Sequence, residues 1–169
     1  NWLYQGKLKG ITEKHLRQKG KRRKTKETRG KFLLGTPISK RPKEIKKRIF
    51  FGHYELDTMV SSRGKSKGCF ATFCEMKSRY FIALKLSDKS SESYRNAINH
   101  LLNIYPKTAF KSFTSDRGKE FSCYRNVEEN YGIKFYFADP YSAWQRGSNE
   151  NSNGLLREFY PKKTDLSEV

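Results

Sequence analysis

Two hydrophobic periods follow one another from Phe51 onward, and together they leave few folds open. Over His53–Val60 the period is two: His53, Glu55, Asp57 and Met59 fall on one face, and Tyr54, Leu56, Thr58 and Val60 on the other. That describes a strand with one apolar face and a row of ionisable groups opposite. A basic turn, Ser61 to Gly68, leads to a second strand pattern over Cys69–Glu75, and the short link Met76–Arg79 leads to a third over Tyr80–Leu86. Three such runs with short connections predict an antiparallel meander. The period then changes to 3.6. Tyr94, Ala97, Ile98, Leu101, Leu102 and Tyr105 make one helical stripe, with Ser90 as its N-cap and Pro106 as its stop. Phe110–Thr114 reads as a short strand, followed by a helix with Phe121, Tyr124, Val127 and Tyr131 inward and Gly132 at its end. Lys134–Ala138 is the last strand, and Ser148 is the expected N-cap of a final helix that Pro161 terminates. Strands joined through helices by right-handed crossovers run parallel. The expected fold is therefore α/β: a mixed five-stranded sheet, an antiparallel meander plus two parallel strands, flanked by helices.

Charge divides the chain near Phe50. Residues 1–50 hold 18 Lys and Arg against 3 acids, and residues 51–169 hold 18 against 14, so most of the net charge of +19 lies in the first part. A basic arm of this density, with Arg22 and Arg23 at its centre, points to nucleic acid, because neutralising phosphates releases counterions. A solubilising tail needs far less charge. Lys14–Lys31 carries almost nothing apolar, so its ordering is expected only on binding. Trp2, Leu3 and Tyr4 resemble the tail of a helical element, and Pro37 and Pro42 mark a linker. The expected organisation is a basic arm over 1–48 and a folded domain over 49–169. No apolar run nears the roughly 20 residues of a membrane span. The cysteines Cys69, Cys74 and Cys123 form no metal-binding pair with one another, and Cys69 and Cys74 point to opposite faces of one strand. A reduced, cytoplasmic setting fits them.

Three carboxylates stand out. Asp57 lies near the end of the first strand, Asp116 just past the fourth, and Glu150 in the first turn of the last helix. In open α/β sheets the functional crevice lies at the carboxyl ends of the strands. If the first and fourth strands are parallel neighbours, Asp57 and Asp116 converge there, and clustered carboxylates are costly without a cation between them. Oxygen donors of this kind suit Mg²⁺ or Mn²⁺. Two ions about 3.5–4 Å apart stabilise both oxygens of an in-line phosphoryl displacement. In that arrangement Asp57 bridges, and Asp116 and Glu150 each complete one shell.

Asp57, Asp116 and Glu150, the last 34 positions after the second, resemble the DDE signature of ribonuclease H-like transposases and retroviral integrases. More narrowly, GHYELD (Gly52–Asp57), TSDRGKEF (Thr114–Phe121) and the long run Tyr136–Ser167 resemble the IS thirty family of bacterial insertion-sequence transposases. KHLRQKGKRR upstream is similar to that family's linker. Arg117 stands where integrase-like enzymes more broadly often have Asn. The resemblance implies a ribonuclease H-like fold and a DDE polynucleotidyl transferase, with 1–48 carrying the tail of a missing N-terminal DNA-binding region and 49–169 a catalytic domain truncated at its C-terminus. Its reaction would be metal-dependent cleavage at insertion-sequence ends and strand transfer into target DNA, by a homo-oligomer in the bacterial cytoplasm, associated with the nucleoid.

Around the carboxylates, Gln145, Arg146, Asn153 and Arg157, with Lys65, Lys67 and Lys119, are the candidate DNA contacts; Asn153 and Arg157 are expected on the DNA side of the last helix. Trp144 reads as buried or as a base-stacking ring, Glu55 as a structural ion pair, His53 as a hydrogen-bonding support, and Asp139 as a turn residue before Pro140. Two other readings stay open: a DNA-binding module in which the sheet is only scaffold, and a nuclease on the same fold. The division between arm and sheet yields an expected outcome. Deleting residues 12–31 should weaken DNA binding and flatten its salt dependence while leaving the circular dichroism of the sheet intact.

Overall fold

A single mixed sheet carries the apolar pattern of the sequence. In the computed structural model, which describes residues 2–3, 5–15, 35–62, 64–140 and 142–169, the strands are β1 (Thr36–Pro37), β2 (His53–Val60), β3 (Cys69–Glu75), β4 (Phe81–Leu86), β5 (Ser112–Ser115) and β6 (Lys134–Phe137). They lie in the order β1-β6-β5-β2-β3-β4. β2, β3 and β4 form the antiparallel meander, and β5 pairs in parallel with both β2 and β6. The sixth strand, β1, was not legible, because two residues carry no period; it pairs in parallel with β6 at the edge, where a proline is tolerated. The helices are α1 (Lys43–Lys46), α2 (Ser91–Ile104), α3 (Tyr124–Tyr131) and α4 (Gly147–Phe159).

The chain divides into two compact units, Asn1–Lys31 and Phe32–Val169, and the sheet belongs to the second. The stretch 35–48, assigned to the arm from composition, contributes β1 and α1 to that unit, and Ile45 of α1 is buried against Met76 and Tyr136. In the first unit, residues 2–3 and 5–10 form turns where a helical tail was expected. Lys7 donates its N–H to the Trp2 carbonyl (3.0 Å), and Gly6 and Gly10 take positive φ of 66° and 77°. Most of the basic run lies outside the described residues, Arg22 and Arg23 included.

The two faces of the sheet differ in chemistry. One packs Tyr54, Leu56, Phe73, Phe113, Phe135 and Phe137 against α2 and α3. The Phe113 ring is its hub, with the rings of Tyr54, Phe73, Phe110 and Phe135 between 5.5 and 6.3 Å away. Ser90 caps α2 by accepting the Ser93 N–H, and Gly132 ends α3 in the left-handed region at φ 68°. Tyr131 was expected inward but is 41% exposed, its hydroxyl donating to Asn99. Tyr131 is the last residue of α3, directly before the Gly132 stop. The opposite face buries Glu55, Thr72, Cys74 and Thr114, and α4 lies over β2 and β3 there. Cys69 joins the aromatic core while the Cys74 thiol meets Ser152 on α4, so the two do sit on opposite faces.

The last residues fold back onto the β2–β3 connection. Leu166 is fully buried with Met59 and Phe70, and Asp165 accepts from the Ser66 hydroxyl and N–H and from Ser167. These bonds, the Ser66 hydroxyl above all, pull the Asp165 carboxyl down to about 2. A carboxyl held below its unfolded value of about 3.9 stabilises the fold above that value and stops doing so as pH falls through the folded one. The Leu166 amide, which donates to Ser61 Oγ (2.9 Å), should therefore lose hydrogen-exchange protection between about pH 4 and about pH 2. Asp165→Asn should lower that protection already at neutral pH.

Candidate active site

Register brings the first two carboxylates together. β2 and β5 pair in parallel with Glu55 beside Thr114. Asp57 and Asp116 each lie two residues further on, so they reach the same level at the carboxyl edges of neighbouring strands, on the same face. Backbone amides fix one oxygen of each: Thr58 N–H donates to Asp57 (2.9 Å) and Gly118 N–H to Asp116 (2.8 Å). Between them sits the Arg146 guanidinium, 3.5 Å from Asp57 and 3.5 Å from Asp116, with a firmer bond to the Leu56 carbonyl (3.0 Å). The side chain is only 13% exposed, and its Nε has no partner.

A buried glutamate positions the third carboxylate. Glu55 is 1% exposed and accepts the N–H of Asn149 (2.9 Å), while the Asn149 amide donates to the Glu55 carbonyl (3.1 Å). Ser148, expected to cap α4, does not. The helix starts at Gly147 without a side-chain cap, and the buried Ser148 hydroxyl instead accepts from Arg48 (3.0 Å) and Arg79. The cap comes from β2 because a buried carboxyl is a stronger acceptor for an orphan helix N–H than the local hydroxyl. From this anchor α4 turns its polar stripe onto the sheet: Asn153 donates to the free oxygen of Asp57 (3.1 Å) and Arg157 to the Val60 carbonyl (2.8 Å). Both were expected to face DNA and are engaged within the fold. Glu150, three positions before Asn153, is exposed and neighbours it on the helix surface. The structure joins Asp57 and Asp116 through Arg146; it gives Glu150 no hydrogen bond or ion pair to either.

A polar layer supports the pair from below, and none of it was among the candidate site residues. The Tyr94 hydroxyl (3.0 Å) and the Thr72 hydroxyl (3.1 Å) donate to the Asp57 carbonyl. Burial, with Asp57 and Glu120 adding, pushes the Tyr94 phenol well above its ordinary value, so it stays a donor. Glu120 is buried, accepts from Thr58 (3.1 Å) and pairs with Lys89 (2.9 Å); a Cβ on Gly118 would fall 2.4 Å from its carboxyl, which accounts for glycine there. Such partners lie tens of residues apart and leave no local pattern.

The remaining expectations divide. His53 bonds Ser112 (2.7 Å), as expected of a support, and burial lowers its basicity. Glu55 is a cap where an ion pair was expected. Of the two readings of Trp144, burial does not hold: the ring is 72% exposed, because its 3₁₀ segment, Ala143–Arg146, lies on the surface. Gln145 is tied to Asp139 at both ends of its amide, and Arg117 holds the loop after Asp116 by donating to the Ala138 carbonyl (3.1 Å) and pairing with Asp139 (3.7 Å). Lys65, Lys67 and Lys119 are exposed. Among the described residues no three His, Cys, Asp or Glu side chains cluster closely enough to enclose a metal, and no helix is long and apolar enough to cross a membrane.

An acidic pair at the carboxyl edges of parallel strands, capped by a helix carrying a third acid, defines the class of site. Residues 50–143 match the integrase core domain, and the chain belongs to that family. It is 36% identical over 170 residues to a probable transposase for insertion-like sequence element IS1161 of Streptococcus salivarius, covering 100% of this chain and 48% of that protein. It is 39% identical over 168 residues to transposase InsI for insertion sequence element IS30C of Escherichia coli (strain K12), covering 98% and 43%. The chain thus spans about half the length of these relatives. The catalytic core domain of BIV integrase superposes with a TM-score of 0.52 at 19% identity, over 64% of this chain and 68% of that one. An intasome chain of simian T-cell lymphotropic virus gives 0.56 at 14%, over 63% and 38%. The fold is ribonuclease H-like.

The anchoring of α4 yields a measurable expectation. Glu55→Ala leaves the Asn149 N–H buried and unpaired, which costs about 1–3 kcal/mol. Urea denaturation should read that loss, and hydrogen exchange should show fraying confined first to the start of α4.

Proposed function

We propose that the domain is the catalytic core of a DDE DNA transposase, with Asp57, Asp116 and Glu150 as its metal-holding carboxylates. The observation that carries this reading is the pair of aspartates meeting around one cation at the carboxyl edge of the sheet. Their donor set fits Mg²⁺ or Mn²⁺: hard oxygens, already gathered about positive charge, with one oxygen of each oriented by a backbone amide. Glu150, on a helix anchored through Asn149, stands at the exposed rim from which it can complete the set. When bound, two such ions would polarise the scissile phosphate and stabilise the attacking and leaving oxygens.

The chain's own groups keep that centre in shape. Tyr94 and Thr72 fix the Asp57 backbone, Asn153 orients its side chain, and Arg117 steadies the loop of Asp116. No histidine or serine nucleophile is needed. The substrates in this reading are insertion-sequence ends and target DNA in the bacterial cytoplasm. The exposed Lys65, Lys67, Lys119 and the basic arm hold the backbone, and a homo-oligomer pairs two ends.

The test is joining of a 3′-hydroxyl DNA end to a second duplex by the full-length protein in Mg²⁺ or Mn²⁺. Asp57→Asn, Asp116→Asn and Glu150→Gln should each reduce joining by about 100-fold or more with DNA binding retained. Binding without any cleavage by the wild type would favour a DNA-binding module. Cleavage of RNA–DNA hybrids without joining would favour a nuclease.

A further inference from the structure

We infer that Arg146 is a built-in counter-cation: it holds Asp57 and Asp116 together before a divalent ion arrives and leaves them when one binds. The inference rests on the carboxylate reading above and adds a positioning residue to it. Among the described residues, Arg146 is the one cation within ion-pair distance of either aspartate, and it touches both. Without it two half-buried carboxylates, 31% and 37% exposed, would face each other across the strand edge.

The contacts are those of a placeholder. At 3.5 Å each, they are longer than the roughly 2.7–2.9 Å of a strong guanidinium–carboxylate bond. The best donor contact goes to a carbonyl, Leu56, and Nε is buried with nothing to bond. Arg146 ends the surface 3₁₀ segment Ala143–Arg146, directly ahead of α4. By contrast, the oxygens that the aspartates give to Thr58 and Gly118 are bonded at 2.9 and 2.8 Å, so the carboxylates keep their aim when the guanidinium goes. Leaving the site puts the same charge beside the exposed Trp144, where a DNA phosphate can take it. Burial in one state and DNA contact in the other are then successive uses of one side chain.

The experiment is Mn²⁺ binding to the full chain without DNA, read as loss of the free-ion paramagnetic resonance signal, for wild type, Arg146→Ala, Arg146→Lys and Asp57→Asn. A placeholder competes with the ion, so Arg146→Ala should bind Mn²⁺ about threefold to tenfold more tightly, Arg146→Lys near wild type, and Asp57→Asn hardly at all. Arg146→Ala should also melt lower than wild type in chelator and recover most of that deficit with Mn²⁺. Should that variant not fold, the wild type still decides: its Arg146 Nε–H resonance should move on titration with Mg²⁺. Equal or weaker Mn²⁺ binding by a folded Arg146→Ala, or an unmoved resonance, overturns the counter-cation while the carboxylate reading stands. Absence of binding in every variant overturns both.

Discussion

The contact between Glu55 and Asn149 is the constraint on which the site depends. A carboxyl group in the middle of a sheet needs donors, and the first turn of a helix has N–H groups that need acceptors. Glu55 and α4 answer each other across 94 positions of sequence, with two hydrogen bonds in a pocket closed to water. α4 has no side-chain cap of its own, so this contact sets where the helix begins. Everything downstream in α4 follows at helical spacing: Asn153 meets Asp57, Arg157 meets Val60, and Glu150 stands at the rim.

That anchoring also turns α4 over. A helix on a sheet ordinarily buries its apolar stripe, yet here Asn149, Ser152 and Asn153 meet Glu55, Thr72, Cys74 and Asp57, while Leu155 and Phe159 remain 55% and 78% exposed. The inversion is the consequence of a sheet with one polar face. Fold stability rests on the other face, where the aromatic cluster around Phe113 packs against α2 and α3. The two tasks are thereby separated. The aromatic layer holds the strands in register, and register alone brings Asp57 level with Asp116.

Around the site, charge is held in balanced form. Arg146 offsets the two aspartates, Lys89 offsets Glu120, and Arg117 offsets Asp139 at the end of β6. Each of these basic groups comes from a loop or the end of a 3₁₀ segment, and of the acids only Asp57 lies within a strand.

Strand and helix order, the meander, the Ser90 cap, the Gly132 stop and the two aspartates at strand ends were legible in the sequence, because each is written in a local period or a turn residue. Ser148 misled because a local rule was applied where a distant carboxyl had overridden it, and Tyr131 because the stripe was carried to the last residue of α3. Trp144 misled because an aromatic ring beside polar neighbours carries no signal of which side it takes. By itself, then, the sequence determined which residues could share a face and which acids would stand at the sheet's carboxyl edge. Only the tertiary structure decided that Glu55 caps α4, that Asn153 and Arg157 bond Asp57 and the Val60 carbonyl, and that Arg146 lies between Asp57 and Asp116. Those choices depend on partners 30 to 100 positions apart competing for the same buried space, and no local pattern records the outcome of such a competition.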